Sequence, residues 1–369
     1  MGNRIENSRV EVDMVKNYGT IEYERCESGE MVMVTTRWGV KTETPAIEGD
    51  YPTGFSHIWR SGPELSKPER ERQELEAFAE SLRLVTDKSP ALLAVGSGSP
   101  IFPDYAGEMA ARMGWSQTET SNDYLACNSG VEALRRVLMD PRFLPRGVLE
   151  GREVIVGGWE GLTRMVDHGD PDNTDPLSRR VFSNGGALLK FVPGRDLSLV
   201  TEVFFSREDD GNLAAVMPYT IDPDGPLVQI EGNTKKIRLP VPEPGVSIWM
   251  KAKPTAKMFV RAFEEGIEML WAKYLQGIAD KIIADKPISL VTGHHPSTGP
   301  FLLTQKILER VCGISAERYP WVVDDGNSSG ATAPKALNKL LGRVRPGERI
   351  MYVGYGGGIS FTGIIMDRG

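Results

Sequence analysis

A cysteine, two adjacent histidines, an asparagine and a run of glycines stand where this chain has the means to do chemistry. Cys127 lies in YLACNSGVEALRRVL, with Ala126 before it and Gly130 three residues on. Val131, Leu134 and Leu138 then recur at helical spacing. A cysteine at a helix start has its thiolate stabilised by the macrodipole and the free backbone amides. Such a sulfur can attack an acyl carbonyl. His294 and His295 sit in VTGHHPSTG, Asn327 in DDGNSSGATAP, and Gly356, Gly357 and Gly358 in VGYGGGISFTG. A neutral imidazole and an amide can both donate to one oxygen, which suits an enolate formed from a thioester. A glycine-rich turn brings backbone N–H groups to an oxyanion without side-chain obstruction. Together these residues suit acyl transfer followed by carbanion chemistry.

Each element alone carries little. A lone cysteine among apolar residues is most often a buried small side chain, and Cys26 and Cys312 are read that way. A histidine at a strand end is more often structural or solvated, and three glycines usually mark a tight bend. The acidic loop VDHGDPDNTDP lacks the pattern of a calcium loop and is read as solvated.

These residues must be positioned by an α/β framework, because sites in such folds gather beyond the carboxyl ends of strands. PALLAVGSGSP reads as a buried strand, DYAGEMAARMGW as a helix, and SNDYLACNSG as a second apolar strand leading into the cysteine turn. REVIVGGWEG, GGALLKFVPG and SLVTEVFFS read as further strands. Residues 205–246, rich in Gly, Pro and Asp, read as an extended excursion. The long amphipathic helix TAKMFVRAFEEGIEMLWAKYLQGIADKII follows. Next come strand ISLVTG, helix FLLTQKILERVCGI, helix APKALNKLLGRV and strand RIMYVGYGGG. Buried strands alternating with helices predict largely parallel sheets, and the pattern occurs in two successive halves. Residues 1–85 are less legible: VMVTTRWGVKT alternates like a strand and ERERQELEAFAESLRLV like an amphipathic helix.

Composition bounds the function. The 369 residues are 40% hydrophobic and 25% charged, enough for a large core in two domains or one duplicated unit. A net charge of −7 argues against non-specific nucleic-acid binding and gives no support for an anionic membrane surface. No apolar run approaches the roughly 20 residues that span a bilayer, and the N-terminal stretch lacks a signal-peptide core. Three scattered cysteines make a disulfide framework unexpected, so a reducing cytoplasm is expected. With four histidines and no Cys-x-x-Cys or His-x-x-x-His pair, a structural zinc site is not expected.

Order and wording raise the weight of the whole. Over about residues 88–369 the chain resembles the β-ketoacyl-acyl-carrier-protein synthase III group of the thiolase-like superfamily. The resemblance rests on ACNSGVEAL around Cys127, on Phe102-Pro103 before DYAGEMAARMGW, and on FSNGGALL, with Asn184 where the group has an acid. It continues in SIWMKAKPTAKMFVRAF, GHHPSTGPFLL, GNSSGATAPKAL and GYGGGISFTG.

The resemblance implies a thiolase-like fold: two pseudo-duplicated βαβαβ halves in a layered α/β/α/β/α core, residues 1–200 (with a divergent 1–85) and 201–369. It implies a homodimer, acylation of Cys127, and decarboxylative Claisen condensation with a malonyl-type thioester held by Asn327 and one of His294 and His295. The Cys127 N–H and the Gly357 region would form the oxyanion hole, and Phe102 would reach an acyl pocket, that of the partner subunit. No metal or organic cofactor is implied. The basic residue that usually follows the histidine motif is absent from HHPSTGPF, leaving Lys306 and Arg310 to replace it. The features that clasp coenzyme A are also absent, so substrates borne on an acyl carrier protein, in a specialised polyketide-type pathway, are favoured over acetyl-coenzyme A in fatty-acid initiation. Three rivals remain open: an acyltransferase to an alcohol or amine, a non-catalytic partner of a heterodimer, and a cysteine hydrolase.

Overall fold

The computed structural model describes residues 7–12, 19–44, 53–62, 65–165, 180–207, 215–220, 227–229, 236–238, 246–250, 252–356 and 359–369. The alternating N-terminal segment forms an antiparallel meander of β1 (Asn7–Val12), β2 (Thr20–Ser28) and β3 (Met31–Glu43), and β4 (His57–Arg60) pairs with the far end of β3. Helix α1 (Lys67–Val85) starts where the Glu69 carboxylate accepts the Ser66 backbone N–H at 2.8 Å. Such a cap satisfies one of the donors a helix start leaves free. Then follow β5 (Leu92–Gly96), α2 (Tyr105–Arg112), β6 (Glu119–Asp123), α3 (Ser129–Met139), β7 (Val154–Glu160), β8 (Gly185–Phe191) and β9 (Leu197–Arg207).

The expected excursion contains short strands β10 (Ala215–Thr220), β11 (Leu227–Gln229), β12 (Lys236–Arg238) and β13 (Val246–Met250), paired as β10–β13 and β11–β12. The chain ends with α4 (Ala252–Ala279), β14 (Ile288–Gly293), α5 (Thr298–Cys312), α6 (Thr332–Leu341), β15 (Arg349–Tyr355) and β16 (Ile359–Arg368).

Two mixed sheets result. The first has the order β1-β2-β3-β8-β7-β5-β6 and the second β14-β15-β16-β9. In each, parallel strands (β5 with β7, β14 with β15) are followed by two antiparallel neighbours (β8 and β3, β16 and β9). The same pairing scheme thus occurs twice, and the chain changes sheet between Phe191 and Leu197. Helices α3 and α6 touch both sheets. Their apolar stripes, including Val131, Leu134, Val137, Leu337 and Leu340, join Leu92, Val156, Ile350 and Ile364 in one buried core. Helices α1 and α2 cover the outer face of the first sheet, and α4 and α5 that of the second. The layering is therefore α/β/α/β/α, as expected.

One expected element differs. The strand before the cysteine is not the apolar stretch of SNDYLACNSG but the polar ETSND of β6, whose first four residues are exposed or half-buried. As the edge strand of the first sheet it has one neighbour, β5, and does not need a continuous apolar run. The segment between β6 and α3 is a 3₁₀ turn, Ala126–Asn128.

The N-terminal meander is tied to the second half by charge. Arg37 on β3 and Lys335 on α6 both bind Asp325, the lysine at 2.8 Å, and all three side chains are buried. Burial alone would raise the Asp325 carboxyl, but Arg37 and Lys335 outweigh it and hold it well below the usual carboxylate range. Burial lowers Lys335 to about 8, with Asp325 opposing. Removing one partner of such a cluster strands the others. Asp325→Ala should therefore cost about 3–5 kcal/mol, read as a fall in the urea midpoint at neutral pH. The native pKa of Asp325 lies below its unfolded value, so its contribution is complete above pH ~4 and fades only in stronger acid. A variant with an unchanged midpoint would show that the cluster stabilises nothing.

Candidate functional site

The turn that carries Cys127 is set by backbone. Ala126 lies in the left-handed region at φ +46°, which turns the chain sharply from β6 into α3 and leaves Cys127 only 8% exposed. A second turn of the same kind, Ser329–Ala331 with Ser329 at φ +41°, leads into α6. The two turns meet. A Cβ on Gly130 would fall 2.3 Å from the Gly330 carbonyl oxygen, and one on Gly330 would fall 2.2 Å from Ser129 Oγ. A Cβ at Gly130 would have to displace backbone, and one at Gly330 would have to displace the Ser129 hydroxyl.

This crossing brings two of the expected site residues, Cys127 and Asn327, into one neighbourhood. Ser329 Oγ donates to Cys127 Sγ at 3.6 Å, and the Ser329 N–H donates to Asn327 Oδ1 at 2.8 Å. Thr332 Oγ1 donates to the same Oδ1 at 3.0 Å. With its oxygen occupied twice, the Asn327 side chain presents its NH₂ as the available end, which reaches the Pro296 carbonyl at a long 3.4 Å. The Asn327 backbone is fixed through Val181 O and the Ser183 N–H.

The two histidines have different surroundings. His294 directly follows β14, its N–H bonded to Val353 O and its carbonyl accepting from the Tyr355 and Tyr319 hydroxyls. Its ring is edge-on to Tyr355 and Phe259, with centroids 5.5 and 5.9 Å away, and neither ring nitrogen has a hydrogen-bond partner. Tyr355 is close enough to Cys127 for a thiolate there to oppose its ionisation, so His294 and Cys127 share this neighbour. His295 stacks on Phe301 at 4.6 Å, meets Trp321 edge-on at 5.1 Å, and places Nε2 3.3 Å from the Pro320 carbonyl. Burial lowers His294 to about 3 and His295 to about 4, so both rings are neutral.

The resting thiol differs from the sequence expectation of a favoured thiolate. Burial pushes Cys127 up to about 12, with Ser329 opposing and the Glu160 carboxylate adding to the rise. Desolvation outweighs the helix start here. The other expected residues fall as follows. Gly356, at φ +114°, lies against Phe259, whose ring a Cβ would approach to 2.1 Å. Gly357 and Gly358, like the acidic loop, lie outside the described residues. Gly354 packs on Asn128 beside the cysteine, 2.3 Å from its Oδ1 were a Cβ added.

Phe102 is half-buried between β5 and α2, at the margin of the cluster holding Tyr105, Met109 and Trp115. Asn184 is a buried tie: its Oδ1 accepts the Thr163 hydroxyl and N–H, and its Nδ2 donates to Ser61 Oγ and Trp38 O. On α5, Arg310 pairs with Glu264, while Lys306 is exposed near exposed Leu302 and Leu303.

Sequence reasoning missed two residues. Ser329, the link between Asn327 and Cys127, looked like one small residue of a loop. Glu160 ends β7 fully buried, accepting the Gly98 N–H at 2.6 Å and the Ser99 hydroxyl. A carboxylate closing the buried run VIVGGW at a strand's carboxyl end was the signal for it. Among the described residues no group of three or more His, Cys, Asp or Glu side chains is placed to hold a metal ion, and no helix is long and apolar enough to cross a membrane.

Residues 288–368, which carry both histidines and Asn327, match the family 3-Oxoacyl-[acyl-carrier-protein (ACP)] synthase III C terminal. The chain is 22% identical over 281 residues to the β-ketoacyl-[acyl-carrier-protein] synthase III of Staphylococcus saprophyticus, covering 75% of each. Its fold is similar to that of the Thermus thermophilus β-ketoacyl-[acyl-carrier-protein] synthase III, with TM-score 0.60, 20% identity and 86% and 89% of the two chains covered. It is also similar to the priming β-ketosynthase of the R1128 polyketide biosynthetic pathway, with TM-score 0.63, 16% identity and 91% and 94% covered. With the duplicated sheets, these similarities show that the chain has the fold of the β-ketoacyl-[acyl-carrier-protein] synthase III structures, and that its residues 288–368 are similar to the C-terminal part of that family.

Proposed function

We propose that the protein is a condensing enzyme that takes an acyl group onto Cys127 as a thioester. It then joins that group to the carbanion left when a malonyl-type thioester loses carbon dioxide. The observation that carries this reading is the fixed orientation of Asn327. Its oxygen is held by Ser329 and Thr332, so its amide can only donate toward the site. Neutral His294, with both ring nitrogens unpartnered, is the second donor, and His295 is the supporting ring, enclosed by aromatics. Two neutral donors suit the negative charge that gathers on a thioester oxygen during decarboxylation. Transfer to an alcohol would need a base and little more.

The Cys127 N–H and the Gly357 region form the oxyanion hole in this reading, and Phe102 closes the acyl channel of a partner subunit across the exposed edge at β6. The chemistry is carried by side chains and needs no metal or redox cofactor. Carrier-borne thioesters of a specialised, polyketide-type pathway fit a docking face on α5, where Lys306 stands with exposed Leu302 and Leu303.

Cys127→Ala should abolish the acyl mass adduct formed from an acyl-thioester panel, whereas Cys26→Ala and Cys312→Ala should keep it. An adduct on the Cys127 variant would move the nucleophile elsewhere. Asn327→Ala should still acylate but release labelled carbon dioxide from a malonyl carrier about a hundredfold more slowly, as the loss of one donor worth ~2.7–4 kcal/mol requires. His294→Ala should match it, and His295→Ala should act mainly on stability; the reverse pattern would exchange their roles. Acylated enzyme that yields esters or amides with small alcohols or amines, and no β-keto product, would replace condensation by simple acyl transfer.

A further inference from the structure

The Cys127 turn is backed by a buried charged network that the proposed reaction has not yet used. Glu160 Oε2 accepts the Gly98 N–H, and Oε1 accepts the Ser99 hydroxyl. Arg164, 7% exposed, donates to the Ser99 carbonyl and, at 3.4 Å, to the Ser99 hydroxyl. The same guanidinium lies 3.4 Å from Glu74 Oε2 on α1, and Glu74 Oε1 accepts the Tyr105 hydroxyl from α2 at 2.7 Å. Glu74 and Glu160 are each 1% exposed or less. Two buried carboxylates thus share one buried guanidinium. Among the described residues, ionising both would set two negative charges against one guanidinium, which favours a proton held in the network.

The network reaches the nucleophile at Gly98. The position a Cβ would take on Gly98 is 3.2 Å from Glu160 Oε2, 3.0 Å from Ser329 Oγ and 3.0 Å from Ala126 Cα. Glycine therefore leaves the carboxylate, the hydroxyl that binds Cys127 Sγ, and the cysteine turn facing one narrow space. The Glu160 charge also acts on Cys127 directly, adding to the rise that burial gives the thiol.

We infer that Glu160 is a positioning residue for Cys127, receiving the thiol proton through the Ser329 hydroxyl when the sulfur attacks an acyl thioester. The inference rests on the proposed acylation of Cys127 and not on the condensation that follows. As the sulfur–carbon bond forms, the Ser329 hydroxyl, which at rest donates to Cys127 Sγ, turns across the space beside Gly98, so that the thiol proton passes to Ser329 Oγ while the Ser329 proton passes to the Glu160 carboxylate. Collapse of the tetrahedral adduct breaks the bond to the carrier sulfur. That sulfur takes the proton back by the same route and leaves as a free thiol. A hydroxyl can donate and accept at once, which the relay requires. Among the described residues, the charged or titratable groups facing Glu160 are Glu74 from α1, Tyr105 from α2, Arg164 after β7, and Cys127. Burial raises Glu160 to about 7, with Ser99, Gly98 and Arg164 opposing and Glu74 adding.

The test is the pH profile of single-turnover acylation of Cys127 by an acyl-carrier thioester, followed by intact mass. Wild type should accelerate with pH through an inflection near 7, as Glu160 becomes an acceptor. Glu160→Gln should lose that inflection and acylate at least tenfold more slowly at pH 7.5, and Glu160→Asp should regain part of both. Ser329→Ala, which leaves the carboxylates in place, should also lose the inflection. A Glu160→Gln protein that acylates at the wild-type rate with the wild-type profile overturns the inference. So does a folded Ser329→Ala protein that keeps the inflection. Failure of wild type itself to acylate would instead sink the reading on which the inference rests.

Discussion

The site depends on the contact between two backbone turns. The starts of α3 and α6 approach so closely that Gly130 touches the Gly330 carbonyl, and Gly158 on β7 touches the same oxygen. Neither helix can be withdrawn from the other without opening the core shared by both sheets. The same approach carries Ser329 to Cys127 and lets the Ser329 N–H hold Asn327. The relative placement of Cys127 and Asn327 is thus a by-product of helix packing, which is stiff. A site held by rigid elements keeps its donors aimed without reorganising at each turnover.

Charge is buried on both sides of this contact. Arg37, Asp325 and Lys335 lie near the asparagine loop, and Glu74, Arg164 and Glu160 lie behind the cysteine. Such groups contribute little net stability, because desolvation offsets most of their attraction. Their value is directional. The first cluster fixes the loop that presents Asn327, and the second fixes residues 97–99 against the cysteine turn. The aromatic enclosure of His295 does a similar job without charge, since its ring contacts Phe301, Tyr319 and Trp321.

Much of this was readable in the residues, for a physical reason. Buried parallel strands such as LLAVG and VIVGGWE carry unbroken apolar runs, and α3 and α6 carry sharp apolar stripes, so pattern and structure agree. Edge position broke the agreement at β6, where ETSND has little need to be apolar. The N-terminal segment was obscure because β2 alternates between faces and β3 only becomes a central strand through pairing with β8. The spacing of HH left the histidines equivalent, and only the rings packed around each separate them. Glu160 and Ser329 act by proximity to residues 33 and 202 positions away, and no local pattern records such a meeting.

The Arg37–Asp325 pair joins positions 288 residues apart in the chain. Contacts of such separation form late, since loop closure must precede any reward from them. During synthesis the half bearing Cys127 emerges well before His294, Asn327 or Ser329 exists. A nascent chain therefore passes through a period in which its thiol sits on a turn that nothing yet faces. The turn becomes enclosed only when α6 docks, so the surroundings of Cys127 are completed by residues made in the second half of the chain.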